Sequence, residues 1–226
     1  MGIKGGMVML KVWSLWGLVL CLGAFAENAK YPNVDSLSYW NRAMETKDAI
    51  LILNKELIDT KGYLITRKYD LEKQKKLHEK NATTTMDLRQ AQWLVEDLEL
   101  KISEISEMML EAELFEQLYM LRYQWAKEEK VETVAAIAAI YTEQWKRRAL
   151  INEIRVARAR AELSFRQWVF EITEKLHAKG AETEVQLIHA RDLRDEVIGR
   201  LNVMQARVEL ARQAEKESMA TERQVR

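Results

Sequence analysis

Three histidines, one cysteine and a run of basic residues stand out among the residues in this chain that could bind a metal, move a proton or hold a phosphate. A metal or active centre needs several such groups converging at fixed spacing, as two imidazoles one helical turn apart would. His78 and His177 instead stand 99 positions apart, and His189 is alone. No HExxH, cysteine pair or glycine-rich phosphate loop occurs. The histidines therefore read as solvated helix residues, and no catalytic residue, cofactor-binding residue or metal ligand is expected. The basic run Lys146, Arg147, Arg148, Arg155, Arg158 and Arg160 is interleaved with Glu143, Glu153 and Glu162, which marks a salt-bridged helix face and not a nucleic-acid surface. Trp93, Trp125, Trp145 and Trp168 fall at irregular helical spacing and read as core or seam packing.

The two equivalent histidines belong to a repeat that organises the chain. Residues 67–94 recur 99 positions later as 166–193, and the pairs Arg67/Arg166, Glu72/Glu171, Lys76/Lys175, Leu77/Leu176, His78/His177, Lys80/Lys179, Ala82/Ala181, Thr84/Thr183, Leu88/Leu187, Ala91/Ala190 and Leu94/Leu193 are identical. Eleven matches in 28 positions exceed the roughly two or three that composition alone would supply. In each copy a charged helical pattern runs into poor helix formers, Asn81-Ala82-Thr83-Thr84 or Gly180-Ala181-Glu182-Thr183, and a new helical pattern leaves it. Each copy reads as the tip of an αα-hairpin, with Asn81 or Gly180 in a left-handed turn and Thr84 or Thr183 capping the helix that follows. Asn81-Ala82-Thr83 also fits the glycosylation sequon, which matters only in a eukaryotic source.

Composition agrees with long rods. The 226 residues hold one proline and eight glycines, five of them within the first 23 positions, and 31% are charged. Such a chain has almost no punctuation to support turns between strands. Residues 1–26 differ in kind: Lys4 and Lys11 lead into the apolar run Val12 to Phe25, and Ala24-Phe25-Ala26 is a small-x-small cleavage pattern. That reads as a secretory signal peptide ending at Ala26, with a single spanning anchor as the alternative. A lipoprotein at Cys21 is opposed by Leu20, which stands where a small residue is needed. Removing Lys4 and Lys11 leaves two fewer basic residues than the 35 acidic ones, so no net field draws the chain to nucleic acid or an anionic membrane. The mature chain would carry no cysteine and no transmembrane span.

Residues 27–35 then form an irregular lead-in around Pro32, with Asp35 or Ser36 capping a first helix over about 36–80. Its stripe is Trp40, Ala43, Ile50, Leu53, Leu57, Leu64 and Leu71. In the second helix Leu88, Ala91, Val95, Leu98, Ile102, Ile105, Met109 and Ala112 alternate steps of three and four, the spacing of a coiled-coil seam. The fourth repeats it as Leu187, Ala190, Arg194, Val197, Leu201, Met204, Val208 and Ala211, where Arg194 needs a carboxylate or a route to water. The third, over about 133–179, is alanine-rich. The four come out at about 65–70 Å each. Residues 126–133, AKEEKVET, contain no helix breaker, so helices two and three either fold back there or form one rod of about 140 Å. Fold-back is favoured because it sets Glu113 by Arg148 and Glu107 by Arg155, although Lys61, Arg67 and Lys68 could serve the same acids. The expected fold is all-α: two long antiparallel coiled-coil hairpins, 36–130 and 131–226, in an up-down-up-down four-helix arrangement.

The turns resemble the periplasmic end of the TolC-like outer-membrane efflux channels, in which a turn glycine is followed by Ser or Thr, an acid, an aliphatic and an alanine. Copy one matches with Asn81, Thr84, Asp87, Leu88 and Ala91, and copy two with Gly180, Thr183, Gln186, Leu187 and Ala190. Asn81 replaces the glycine and Gln186 the acid. The resemblance covers 67–112 and 166–211, and two such repeats per chain are a property of that family. It lacks the family's strands, so no barrel through the outer membrane is expected. It also lacks the lipoyl and β-barrel domains that flank the similar hairpin of periplasmic adaptor proteins.

The resemblance implies a periplasmic location, outer-membrane association through partners, and hairpin tips that meet a partner's tips end to end. The contacts it carries over are Asn81, Ala82, Thr83 and Thr84 with Gly180, Ala181, Glu182 and Thr183. The expectation is a non-enzymatic structural or adaptor protein in an envelope export or motor complex, self-associating and binding other envelope proteins. The alternative is a periplasmic holdase chaperone with coiled-coil arms.

Overall fold

A computed structural model describes residues 32–128 and 131–225. The expected signal peptide, the first part of the lead-in and residues 129–130 of the join lie outside the described residues. Four helices account for nearly all the rest: α1 Pro32–Glu79, α2 Thr85–Glu128, α3 Val131–Ala178 and α4 Glu184–Val225. Their 42 to 48 residues correspond to rods of roughly 63–72 Å. No described residue lies in a strand.

The helix α1 starts at Pro32, so the expected irregular lead-in ends sooner than 35, and Asp35 and Ser36 lie inside the helix and not at its cap. The reason is positional. A proline at the first helical residue lacks only an N–H that would have had no partner, and its fixed φ suits the helix. The starts of α1 and α3, their ends, and the starts of α2 and α4 are each displaced by 99 residues. The 99-residue register thus extends over whole hairpins, beyond the 28 residues in which sequence identity is dense.

Successive helices run antiparallel. Along α1 and α2, Lys47 pairs with Glu116 at 3.3 Å, Glu56 with Lys101 at 2.9 Å and Lys68 with Glu99 at 2.8 Å. Along α3 and α4, Thr142 meets Ser218 at 3.1 Å, Glu153 meets Arg212 at 2.6 Å and Glu162 meets Arg200 at 2.9 Å. The coiled-coil seams lie where the steps of three and four put them: Val95 and Ile105 on α2, and Ala190, Val197, Val208 and Ala211 on α4, are buried. Arg194 finds the expected carboxylate, pairing with Asp195 at 2.7 Å, and its guanidinium also lies 4.4 Å from the Phe170 ring centre.

The chain folds back between α2 and α3, and the single rod is excluded by their side-by-side contact. The register differs from the expected one by two or three residues. Arg148 bonds Glu111 and not Glu113, Arg155 bonds Glu104 at 2.6 Å and not Glu107, and Glu107 takes Arg147 at 2.8 Å. Arg158 adds Asp97 at 3.0 Å and Glu104 at 2.7 Å. Toward the tips Trp93 stacks on Phe165, with centroids 5.1 Å apart and planes 3° from parallel, which is the core role expected of it. The basic run is accordingly a salt-bridged face.

Packing joins α1 to α2, α2 to α3 and α3 to α4, with no comparable contact between α1 and α4. The arrangement is up-down-up-down, but the row stays open where a closed four-helix bundle would bring the outer helices together. Leu51, Ile52, Ile58 and Ile65 on α1 and Val203 and Leu210 on α4 are exposed.

Candidate functional site

Both expected tips are turns, and the alternating direction of the helices puts them at the same end of the row, opposite the α2–α3 join. At the first, Asn81 has φ 55° and at the second Gly180 has φ 71°, the left-handed conformation that ends a helix. Asn81 N–H donates to the His78 carbonyl at 2.9 Å and Ala82 N–H to the Leu77 carbonyl at 2.8 Å. Gly180 N–H donates to His177 at 2.8 Å and Ala181 N–H to Leu176 at 2.9 Å. This pair of bonds satisfies carbonyls that the helix end would otherwise leave bare. The histidines are therefore identical in the two copies at a position whose backbone the turn uses. The His177 Nδ1 also lies 3.0 Å from the Glu182 carbonyl oxygen.

Helices α2 and α4 begin with reciprocal caps. Thr84 N–H donates to Asp87 Oδ2 and Asp87 N–H to Thr84 Oγ1, each at 3.1 Å. In copy two Thr183 N–H donates to Gln186 Oε1 at 2.8 Å and Gln186 N–H to Thr183 Oγ1 at 3.3 Å. This is a capping box, and it asks only for a side-chain oxygen at the third helical position. Gln186 in place of an acid thus keeps the geometry. The Asp87 carboxyl is held below its usual range by the Thr84 hydroxyl, then by the Thr84 backbone N–H and the Thr83 hydroxyl, which all donate to the charged form.

The repeated residues at the tips are largely accounted for by this backbone chemistry. What remains for a partner is the surface it presents: Asn81, Ala82 and Thr84, with Gly180, Ala181 and Thr183, are exposed, while Thr83 and Glu182 are half-buried. Thr83 donates to Gln74 at 2.9 Å, which ties the first turn to α1. Beside the second turn Leu176 and Val185 are 36% and 75% exposed, and neither was among the expected contacts. The signal for Val185 was present: a branched aliphatic in the first turn of α4 that is off the seam of Leu187 and Ala190. Leu176 was hidden by its helix-end role.

Among the described residues no group of three or more His, Cys, Asp or Glu side chains could hold a metal ion, and no helix is long and apolar enough to cross a membrane. The tips can present a rigid, backbone-satisfied surface to another molecule. Comparison of the chain with protein-family models, curated proteins and solved structures finds no match.

Proposed function

We propose that the protein is a non-enzymatic assembly component of the cell envelope, exported by a cleaved leader, whose two hairpin tips dock on another envelope protein. One observation carries this reading: two turns built alike, each bonded through its own backbone, stand at one end of an extended helical scaffold with small and polar side chains exposed. A rigid turn loses little conformational entropy on binding, and that favours its use as a contact. The resemblance of the tips to those of TolC-like channels supports an export or motor complex as the setting.

Thr84 and Thr183 cap helices, so substituting them mixes a contact with a folding defect. Ala82 and Ala181 are exposed and are the better probes. A photo-crosslinker at Ala82 or Ala181 is expected to capture an envelope protein, and one at the exposed mid-helix Ser103 of α2 to capture none. Equal capture from all three positions removes the tip assignment.

A holdase chaperone is the second reading, favoured by the exposed Leu51, Ile58 and Ile65 on α1. Suppression of client aggregation at stoichiometric ratios would support it.

A further inference from the structure

The α2–α3 contact joins the second helix of one hairpin to the first helix of the next. On α2 it uses Glu104, Glu107 and Glu111, spaced along one helical face, and on α3 Arg147, Arg148, Arg155 and Arg158. Ile151 lies on that same α3 face, between Arg148 and Arg155. Displaced by the repeat length of 99, the α2 positions fall on Val203, Ala206 and Leu210 of α4, and Ile151 falls on Ile52 of α1. Inside the chain this interface is covered: Glu104 is 8% exposed and Ile151 4%. Their counterparts at the two ends of the row are bare, with Val203 54% exposed and Ile52 68%.

We propose that α1 of one copy packs on α4 of another as α3 packs on α2 within the chain, so that copies join head to tail in one continuing row of antiparallel helices. In that register Ile52 enters the hole bounded by Val203, Ala206, Arg207 and Leu210, the four-residue socket of knobs-into-holes packing. Glu56, the counterpart of Arg155, comes beside Arg207, the counterpart of Met108, which Arg155 reaches at 4.0 Å inside the chain. At that point the acid and the base exchange sides and opposite charges still meet, whereas Asp59 and Glu196, the counterparts of Arg158 and Asp97, bring two acids together beside Arg200. Three carboxylates on α2 become Val, Ala and Leu on α4, so the contact between copies is the more apolar of the two. Gly199, one turn before Val203, has no atom within 4 Å of where a Cβ would stand, which leaves a neighbouring backbone room to approach. The two surfaces differ, so the contact is heterologous and must close into a ring or extend as a filament.

This deepens the reading as an assembly component: the tips meet a different protein, and the outer helices meet copies. It is tested with two variants of the full chain, Val203→Glu with Leu210→Glu on α4, and Ile52→Glu with Ile58→Glu on α1. All four side chains are exposed in the single chain, so helical circular dichroism stays unchanged. In sedimentation the unsubstituted chain is expected as multiples of the chain mass, and each variant as a single chain. Their equimolar mixture is expected as a one-to-one pair, since each supplies the surface the other lacks. A single-chain mass for the unsubstituted protein, multimers of either variant alone, or a mixture that stays as single chains each overturns the proposal. A third variant, Ala82→Glu with Ala181→Glu, separates the two readings: it should assemble normally, and loss of partner capture with assembly intact bears on the tips alone.

Discussion

Glu104 and Arg155 meet at 2.6 Å across the contact between the two hairpins, with the Glu104 side chain only 10% exposed. Arg158 reaches the other carboxylate oxygen at 2.7 Å, so one acid joins two guanidinium groups of the next hairpin. Removing one member of such a buried cluster strands the rest, at about 3 kcal/mol. Glu104→Ala is therefore expected to destabilise the fold by roughly that amount, read as a lower urea midpoint. Lys68→Ala, which breaks the exposed pair with Glu99, should change it by less than about 1 kcal/mol.

Acid should release the same contact. Burial by itself would raise the Glu104 carboxyl above 4.5, but the hydrogen bonds from Arg155 and Arg158 outweigh it and hold the group below that value. The unfolded chain then binds the proton more readily than the folded one. Its contribution is complete above 4.5 and disappears as pH falls through the depressed folded value. Urea midpoints of the unsubstituted protein and Glu104→Gln, measured from neutral pH to about pH 3, should converge on the acid side. A constant gap would remove Glu104 from the acid response.

The two turn residues predict effects of opposite sign. Gly180→Ala forces a Cβ into φ 71° with no steric neighbour to blame, and should lower stability by about 1–2 kcal/mol. Asn81→Gly relieves the same conformation in copy one and should raise stability by roughly 0.5 kcal/mol. Thermal melting of both variants checks the pair.

Thr84→Ala and Thr183→Ala each delete one half of a capping box and should lower stability by about 1 kcal/mol. The sites share no partner, so the double variant should show the sum. Thr→Ser at either position keeps the oxygen and should restore most of the loss.

Much of this architecture is legible in the sequence because steps of three and four residues name a buried stripe directly, as with Val95 and Ile105 or Val197 and Val208. The tips were legible because a left-handed residue and a capping threonine are local requirements, met within a few positions. Pro32 misled because a proline that breaks a helix interior is at home at its first residue. The acids that meet Arg148 and Arg155 lie two or three positions from those that charge matching along the sequence pairs with them, since arginine side chains reach across nearly a turn and fix a register only loosely. Exposure of Ile52, Val203 and Leu210 had no local signature at all. It follows from the failure of α1 and α4 to meet, a relation between residues about 150 positions apart in the chain.

The open row also decides how the molecule comes apart. Among the described residues each rod is braced chiefly by those next to it in the chain, so the energetics resemble those of a linear stack, with every boundary contributing separately. Peeling away an outermost rod severs one boundary, whereas extracting α2 or α3 severs two. Amide exchange should accordingly be fastest in the two outer rods, with the central pair surrendering its protons last.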